Sequence, residues 1–286
     1  MPSSRLLPVL GLLTAATLWG VFWYPLRWLE DQGLSGLWSS LLLYAGTAVA
    51  WPFLLRGRMD EWTRAPGWLL LVALGSGWTN IAFVLAMLEG EVMRVLLLFY
   101  LSPLWATLLG WLFLHERIDT PTLGILGLAV TGAVVMLWNP SLGFPWPEDV
   151  ADWLALSSGF AFAALNVVVR HLQNVSVQVK TVAGWLGVIV LAAILLLFGG
   201  EPLVAAVPAV GWALLIGATV LVLMTLSVVY GVTHMPVKRS AVILLFEIVA
   251  GAVSSMWLTE ETLTHAEWIG GALVVLAAWL SARRSG

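Results

Sequence analysis

Residues 13–29 read LTAATLWGVFWYPLRWL, and residues 156–172 read LSSGFAFAALNVVVRHL. Laid over one another at an offset of 143, both are long apolar runs, and Arg27 falls on Arg170 near the end of each. A second pair, FLHERIDTPTLGILGLAV at 113–130 and WLTEETLTHAEWIGGALV at 257–274, matches at an offset of 144 and sets Glu116 over Glu260 and Gly127 over Gly271. Few residues are identical, but hydropathy, the acid at the helix end and the spacing agree. The chain therefore predicts two similar halves, residues 1–143 and 144–286.

The composition says what surrounds those halves. The 286 residues are 60% hydrophobic and 10% charged, with a mean hydropathy of +0.96. Soluble domains carry ~25% charged residues, and so few charges cannot cover a soluble protein of this length. Lipid is the expected solvent. Cysteine is absent, which excludes disulfides, thiolate metal sites and a cysteine nucleophile. The net charge is −3 and the basic residues are scattered, so nothing points to nucleic acid. The first run, Leu6 to Leu26, is longer than the ~7–15 residues of a signal-peptide core and no small-x-small site follows it, so it is expected to stay as a membrane helix.

A helix crossing ~30 Å of hydrocarbon needs about 20 residues. Spans are expected at 6–27, 34–55, 66–88, 92–114, 120–138, 150–170, 179–199, 210–233, 238–258 and 264–282, with turn-like breaks between them such as NPSLGFPWPED and GGEP. The distribution of Lys and Arg orients them. With a cytoplasmic N-terminus, Arg5, Arg56, Arg58, Arg64, Arg117, Arg170, Lys180, Lys238, Arg239, Arg283 and Arg284 fall inside, and only Arg27 and Arg94 fall outside. Acids such as Glu89, Glu91, Glu148, Asp152, Glu260 and Glu261 lean outward. Five helices per half make the second half enter from the opposite face. Inverted repeats of this kind are a transporter construction, because two similar halves meeting at the midplane open to either side with similar energies. The expectation is an all-α polytopic membrane protein with ten transmembrane helices, both termini cytoplasmic, in the inner membrane.

Two stretches carry a family resemblance. ATLWGVFW at 16–23, and YLSPLWATLLGWLFLHERI at 100–118 with its mid-helix proline and Leu-x-Glu-Arg end, resemble drug/metabolite transporters of the EamA type. Within that superfamily the chain looks most similar to YddG-type aromatic amino-acid exporters. The resemblance spans nearly the whole chain. It implies export of amino acids, aromatic or other neutral ones, or of related small metabolites. It also implies a central cavity lined by helices 1, 3, 4, 6, 8 and 9, with aromatic cavity positions falling on Trp19, Trp78, Tyr100 and Phe162; Phe83 is counted with them. Two positions depart from the pattern: an aromatic of the helix-4 motif falls on Ser102, and the second mid-helix proline, the repeat partner of Pro103, falls on Glu247.

Read from the residues alone, polar side chains at mid-span must face protein or a wet cavity, since lipid cannot satisfy them. These are Ser76, Thr79 and Asn80 in the third helix, Tyr100 and Ser102 in the fourth, Ser157, Ser158 and Asn166 in the sixth, Thr225, Ser227 and Tyr230 in the eighth, and Glu247, Ser254 and Ser255 in the ninth; the other helices carry fewer, although the second has Tyr44 and Thr47. Asn80, Ser102, Asn166, Tyr230 and Glu247 are the polar substrate-binding candidates. Pro103 frees a carbonyl near residue 99, either to receive a substrate ammonium or simply to make a packing kink. Most of the 18 tryptophans belong at the interfaces, among them Trp28, Trp51, Trp62, Trp68, Trp138, Trp146, Trp153, Trp257 and Trp268. A central acid costs ~2.5–3.5 kcal/mol to insert. Glu247 has Ala250, Gly251, Ser254 and Ser255 on its helical face, so it faces protein. Three roles stay open to it: binding an amino group, carrying a proton, or serving as a neutral structural acid.

Other classes fit less well. His115, His171, His234 and His265 sit near helix ends without metal-ligand spacing, no Ser/His/Asp set converges, and no phosphate loop is present. An enzyme is not expected, nor a cofactor or metal, and rings of like charge that would mark a channel are missing. The expected partners are a small-molecule substrate and the bilayer, with protons as a possible coupling ion; a monomer is compatible with the layout. An exporter of cationic drugs or quaternary amines is the alternative, since aromatic walls also hold cations.

Overall fold

The computed structural model describes residues 3–90, 92–138, 147–258 and 263–283. Of the residues named above, Glu91, Trp146, Glu260, Glu261 and Arg284 lie outside these. Among the described residues every regular element is helical, and ten helices are long and apolar enough to cross a membrane: α1 (Leu6–Asp31), α2 (Gly36–Leu54), α3 (Pro66–Met87), α4 (Arg94–Leu114), α5 (Thr120–Leu137), α6 (Val150–His171), α7 (Val177–Gly199), α8 (Val207–His234), α9 (Val237–Leu258) and α10 (His265–Arg283). Each falls on one expected span. The largest difference is at α1, which continues to Asp31 because a second helical piece, Trp23–Asp31, follows the turn at Phe22.

The pairings are invariant when the two halves are exchanged. α1 packs on α8 and α9, and α6 packs on α3 and α4; α2 with α8 mirrors α7 with α3; α2 meets α7, and α5 meets α10. Two crossings show the symmetry at atomic scale. A Cβ placed on Gly217 in α8 would lie 1.9 Å from the Leu43 carbonyl oxygen of α2, and one on Gly187 in α7 would lie 1.8 Å from the Ala73 carbonyl oxygen of α3. Leu43 and Gly187 are repeat mates at an offset of 144, and so are Ala73 and Gly217. The same crossing is thus built twice, with the glycine on the opposite partner each time. Lipid gives little drive for helices to associate, so backbone approach of this kind and buried polar closure hold the bundle together. Gly132 and Gly270 likewise face one another across α5 and α10. Gly124 and Gly127 in α5 meet nothing within 4 Å.

Three helices bend near the centre. The turn at Phe22 in α1 lies just before Pro25, and the turn at Tyr100–Leu101 in α4 lies just before Pro103, as a missing N–H donor requires. α9 bends at Leu245 without a proline, where the Ile248 N–H reaches back to the Leu245 carbonyl at 3.1 Å. Glu247 occupies the repeat position of Pro103, and the bend is kept. Two of the bent helices, α4 and α9, press a carbonyl onto a glycine of a neighbour: a Cβ on Gly159 in α6 would lie 2.6 Å from Phe99 O, and one on Gly20 in α1 would lie 2.5 Å from Glu247 O. The Phe99 carbonyl loosened by Pro103 therefore faces α6, as a packing kink would have it.

Helix starts carry their own signals. Ser35, Asp119, Asp149 and Ser176 each accept a hydrogen bond from the N–H three residues on, and Thr264 with Glu267 forms a reciprocal capping box at α10. At the end of the Leu-x-Glu-Arg motif, His115 adopts a left-handed φ of 54° that ends α4. Glu116 then accepts the Val237 N–H at 3.0 Å. A carboxylate at the start of α9 answers both an orphan donor and the positive end of that helix. Trp28, Trp68, Trp138, Trp153, Trp257 and Trp268 are exposed, consistent with interfacial rings, whereas Trp51 and Trp62 are half-buried.

Candidate functional site: a buried central cavity

Where the bent centres of α1, α4 and α9 come together, the bundle holds a partly open cavity of about 190 Å³. α3 contributes Ser76, Thr79, Asn80 and Phe83; α4 contributes Phe99, Tyr100 and Ser102; α6 contributes Phe162 and Asn166; α9 contributes Glu247, and α1 contributes Trp19. Three further helices supply walls, α8 among them with Thr225, Val228 and Val229. Tyr44 comes from α2, and Lys180, Thr181, Gly184 and Trp185 form one face of α7 at helical spacing. α5 and α10 contribute none of the lining residues.

Eight of the ten sequence candidates line this space: Trp19, Asn80, Phe83, Tyr100, Ser102, Phe162, Asn166 and Glu247. Trp78 and Tyr230 do not. Trp78 lies roughly 140° around α3 from the lining face at 100° per residue; it is 44% exposed and donates its indole N–H to Ser157 Oγ at 3.2 Å. Tyr230 packs its ring on His234, with centroids 4.3 Å apart, and approaches Gly11 of α1. Both have the right depth but the wrong face. Pro103 is buried, and its carbonyl accepts from Thr107 Oγ1 at 2.8 Å.

The cavity has an aromatic side and a polar side. Phe83, Tyr100 and Phe162 surround Phe99, with ring centroids 4.9, 5.3 and 5.8 Å away. The Tyr100 phenol and the Glu247 carboxyl share the cavity wall and lie close enough to interact. Asn80 donates to Tyr44 Oη at 3.3 Å, which leaves its buried Oδ1 without a protein partner. Thr79 Oγ1 and Asn166 Nδ2 are also buried and unpartnered. Trp185 is satisfied, donating to Thr225 Oγ1 at 3.0 Å.

Lys180 is a residue the sequence places at the membrane surface and the structure places inside. It is 0% exposed. Its ammonium donates to the Val169 and Leu172 carbonyls, each at 3.1 Å, and to Thr233 Oγ1 at 2.7 Å. An ammonium has three N–H donors, so all are used by protein. Arg170 and Gln173 converge on the Thr233 carbonyl at 2.5 and 3.1 Å. Lys180 thus ties the end of α6 to the end of α8 at the cavity wall. Its signal in the sequence was its helical register with Thr181, Gly184 and Trp185. Lys180→Met is expected to lower stability by about 1–3 kcal/mol through the buried acceptors it strands, read as a lower melting temperature in detergent.

At the opposite end of α6, the guanidinium of Arg94 pairs with buried Asp152 at 2.7 Å, with Glu148 3.5 Å away, joining the starts of α4 and α6.

A two-halved, multi-pass helical bundle around a buried cavity is the architecture of a membrane transporter. The chain belongs to the EamA-like transporter family, whose model matches residues 6–138 and again 149–283. It is 27% identical over 255 residues to an uncharacterized transporter of Archaeoglobus fulgidus, covering 84% of each chain. Its fold is similar to that of a chain of known crystal structure, with a TM-score of 0.76 at 20% identity, covering 96% of this chain and 98% of the other.

Proposed function

We propose that this transporter is a carrier of the inner membrane that exports amino acids, aromatic or other neutral ones, or related small metabolites, by alternating access. The observation that carries this is the meeting of the Glu247 carboxyl with Tyr100 in a cavity walled by Trp19, Phe83, Phe99 and Phe162. A carboxylate recognises an ammonium, and aromatic faces take a flat apolar side chain. Both termini lie in the cytoplasm on the charge balance of eleven inner to two outer basic residues. Export rather than uptake, and the kinship with YddG-type exporters, rest on the resemblance carried by ATLWGVFW and the α4 motif.

A second reading has one specific observation in its favour. Lys180 spends its three N–H bonds on protein, so Glu247 is the charge left to the substrate and a cationic drug or quaternary amine also fits. In that case the proton rides on Glu247, and the pH dependence of transport disappears in Glu247→Gln.

Counterflow in proteoliposomes tests both readings. Across a panel of amino acids and organic cations at two pH values, labelled external substrate is expected to accumulate against unlabelled internal amino acid. Accumulation only against cations selects the second reading. Chemical conversion of the label without exchange would make the protein a membrane enzyme instead.

A further inference from the structure

Resting on the amino-acid reading above, the cavity must also accept the negative end of the substrate. Lys180, the lining cation, has no donor left for it. The indole N–H of Trp185 is committed to Thr225, and the hydroxyl of Thr181 to the Val177 carbonyl at 2.8 Å. Asn166 is different, and among the lining donors only the Thr79 hydroxyl shares its buried, unpartnered state. Asn166 is only 3% exposed, it lines the cavity, and its Nδ2 has no protein partner. It stands one helical turn, about 6 Å, along α6 from Phe162, whose ring faces Phe99 and through it Tyr100. An amide donor buried without a partner beside an aromatic, acid-bearing wall is a poor element of an empty bundle and a good element of a recognition site.

We infer that Asn166 is a specificity-determining residue that donates Nδ2–H to the carboxylate of a zwitterionic amino acid while Glu247, with Tyr100, takes the ammonium. Recognition of the carboxylate by a neutral amide has a consequence. The site discriminates between an amino acid and the corresponding decarboxylated amine through Asn166, and leaves the amine to Glu247 alone.

The test is competition for counterflow. For each amino acid the wild type exchanges, inhibition is compared among the amino acid, its carboxamide and its decarboxylated amine, in wild type, Asn166→Leu and Asn166→Asp. Asn166→Leu is expected to weaken the amino acid at least tenfold and the amine less than twofold. Asn166→Asp, nearly isosteric, sets a carboxylate against a carboxylate and is expected to reverse the preference in favour of the amine. Asn166→Leu is also expected to melt no lower than wild type, because Nδ2 makes no bond to lose. Equal weakening of acid and amine, an unchanged ratio in Asn166→Asp, or a marked fall in melting temperature would each overturn the assignment. A wild type that exchanges no amino acid would overturn the functional reading itself. A wild type that exchanges one while both variants keep its selectivity would overturn only the role of Asn166.

Discussion

Glu247→Gln is expected to reduce amino-acid counterflow about 30-fold or more, with the protein still folded and monodisperse. Removing one partner of a buried, hydrogen-bonded charge pair costs about 2–5 kcal/mol in binding, and on the proposed amino-acid reading the partner left behind is the substrate ammonium. Glutamine keeps the shape of the side chain and can still meet the Tyr100 phenol, so the loss isolates charge from packing. Glu247→Asp keeps the charge but draws it back by one methylene, and is expected to fall between the two. The measurement is the initial rate and half-saturation of exchange in liposomes containing equal amounts of each variant. Unchanged exchange in Glu247→Gln would leave Glu247 a structural acid, held by Tyr100 at the bend of α9.

Gly187→Leu is expected to abolish folding. An added Cβ would sit 1.8 Å from the Ala73 carbonyl oxygen, so α3 and α7 would have to separate along a crossing that also places Lys180, Gly184 and Trp185 on the cavity wall. Overpacking typically costs about 1–3 kcal/mol and more where backbone itself is the obstacle. Gly217→Leu, which meets the Leu43 carbonyl oxygen at 1.9 Å, is expected to behave the same way. Gly124→Leu, with nothing within 4 Å, serves as the control and is expected to be well tolerated. Yield of monodisperse protein and melting temperature in detergent read all three. Equal tolerance at Gly187 and Gly124 would mean that the two crossings do not hold the halves together.

The same crossings show which kind of information the sequence carries. The ten spans follow from composition, because crossing hydrocarbon demands about 20 residues without charge, and the offset near 144 exposes the duplication. Depth in the membrane is legible for the same reason, and Asn80, Tyr100, Asn166 and Glu247 were found by it. Angular position is harder to read. Trp78 and Tyr230 have the depth of a cavity residue; on α3 the stripe Ser76, Thr79 and Asn80 at helical spacing faces inward and leaves Trp78 off it, while the polar residues of α8 are spread around the helix and do not place Tyr230. Lys180 errs in the opposite direction. A lysine two or three residues inside a span looks like an interfacial charge, and only the carbonyls of Val169 and Leu172, brought over by α6, turn it into a buried tie. The bend of α9 is a further case: with Glu247 in place of a proline, no residue in the sequence announces it, and the structure shows it where α9 lies against Gly20 of α1.

The most direct measurement of the central claim uses the absence of cysteine from the chain. Ser102→Cys introduces a lone thiol at a buried position on the cavity wall with little change of volume. In proteoliposomes, a small charged thiol reagent added from the water is expected to modify it, to stop counterflow, and to be slowed by saturating substrate. Full modification with undiminished exchange, or a thiol that substrate does not protect, would contradict transport through this cavity.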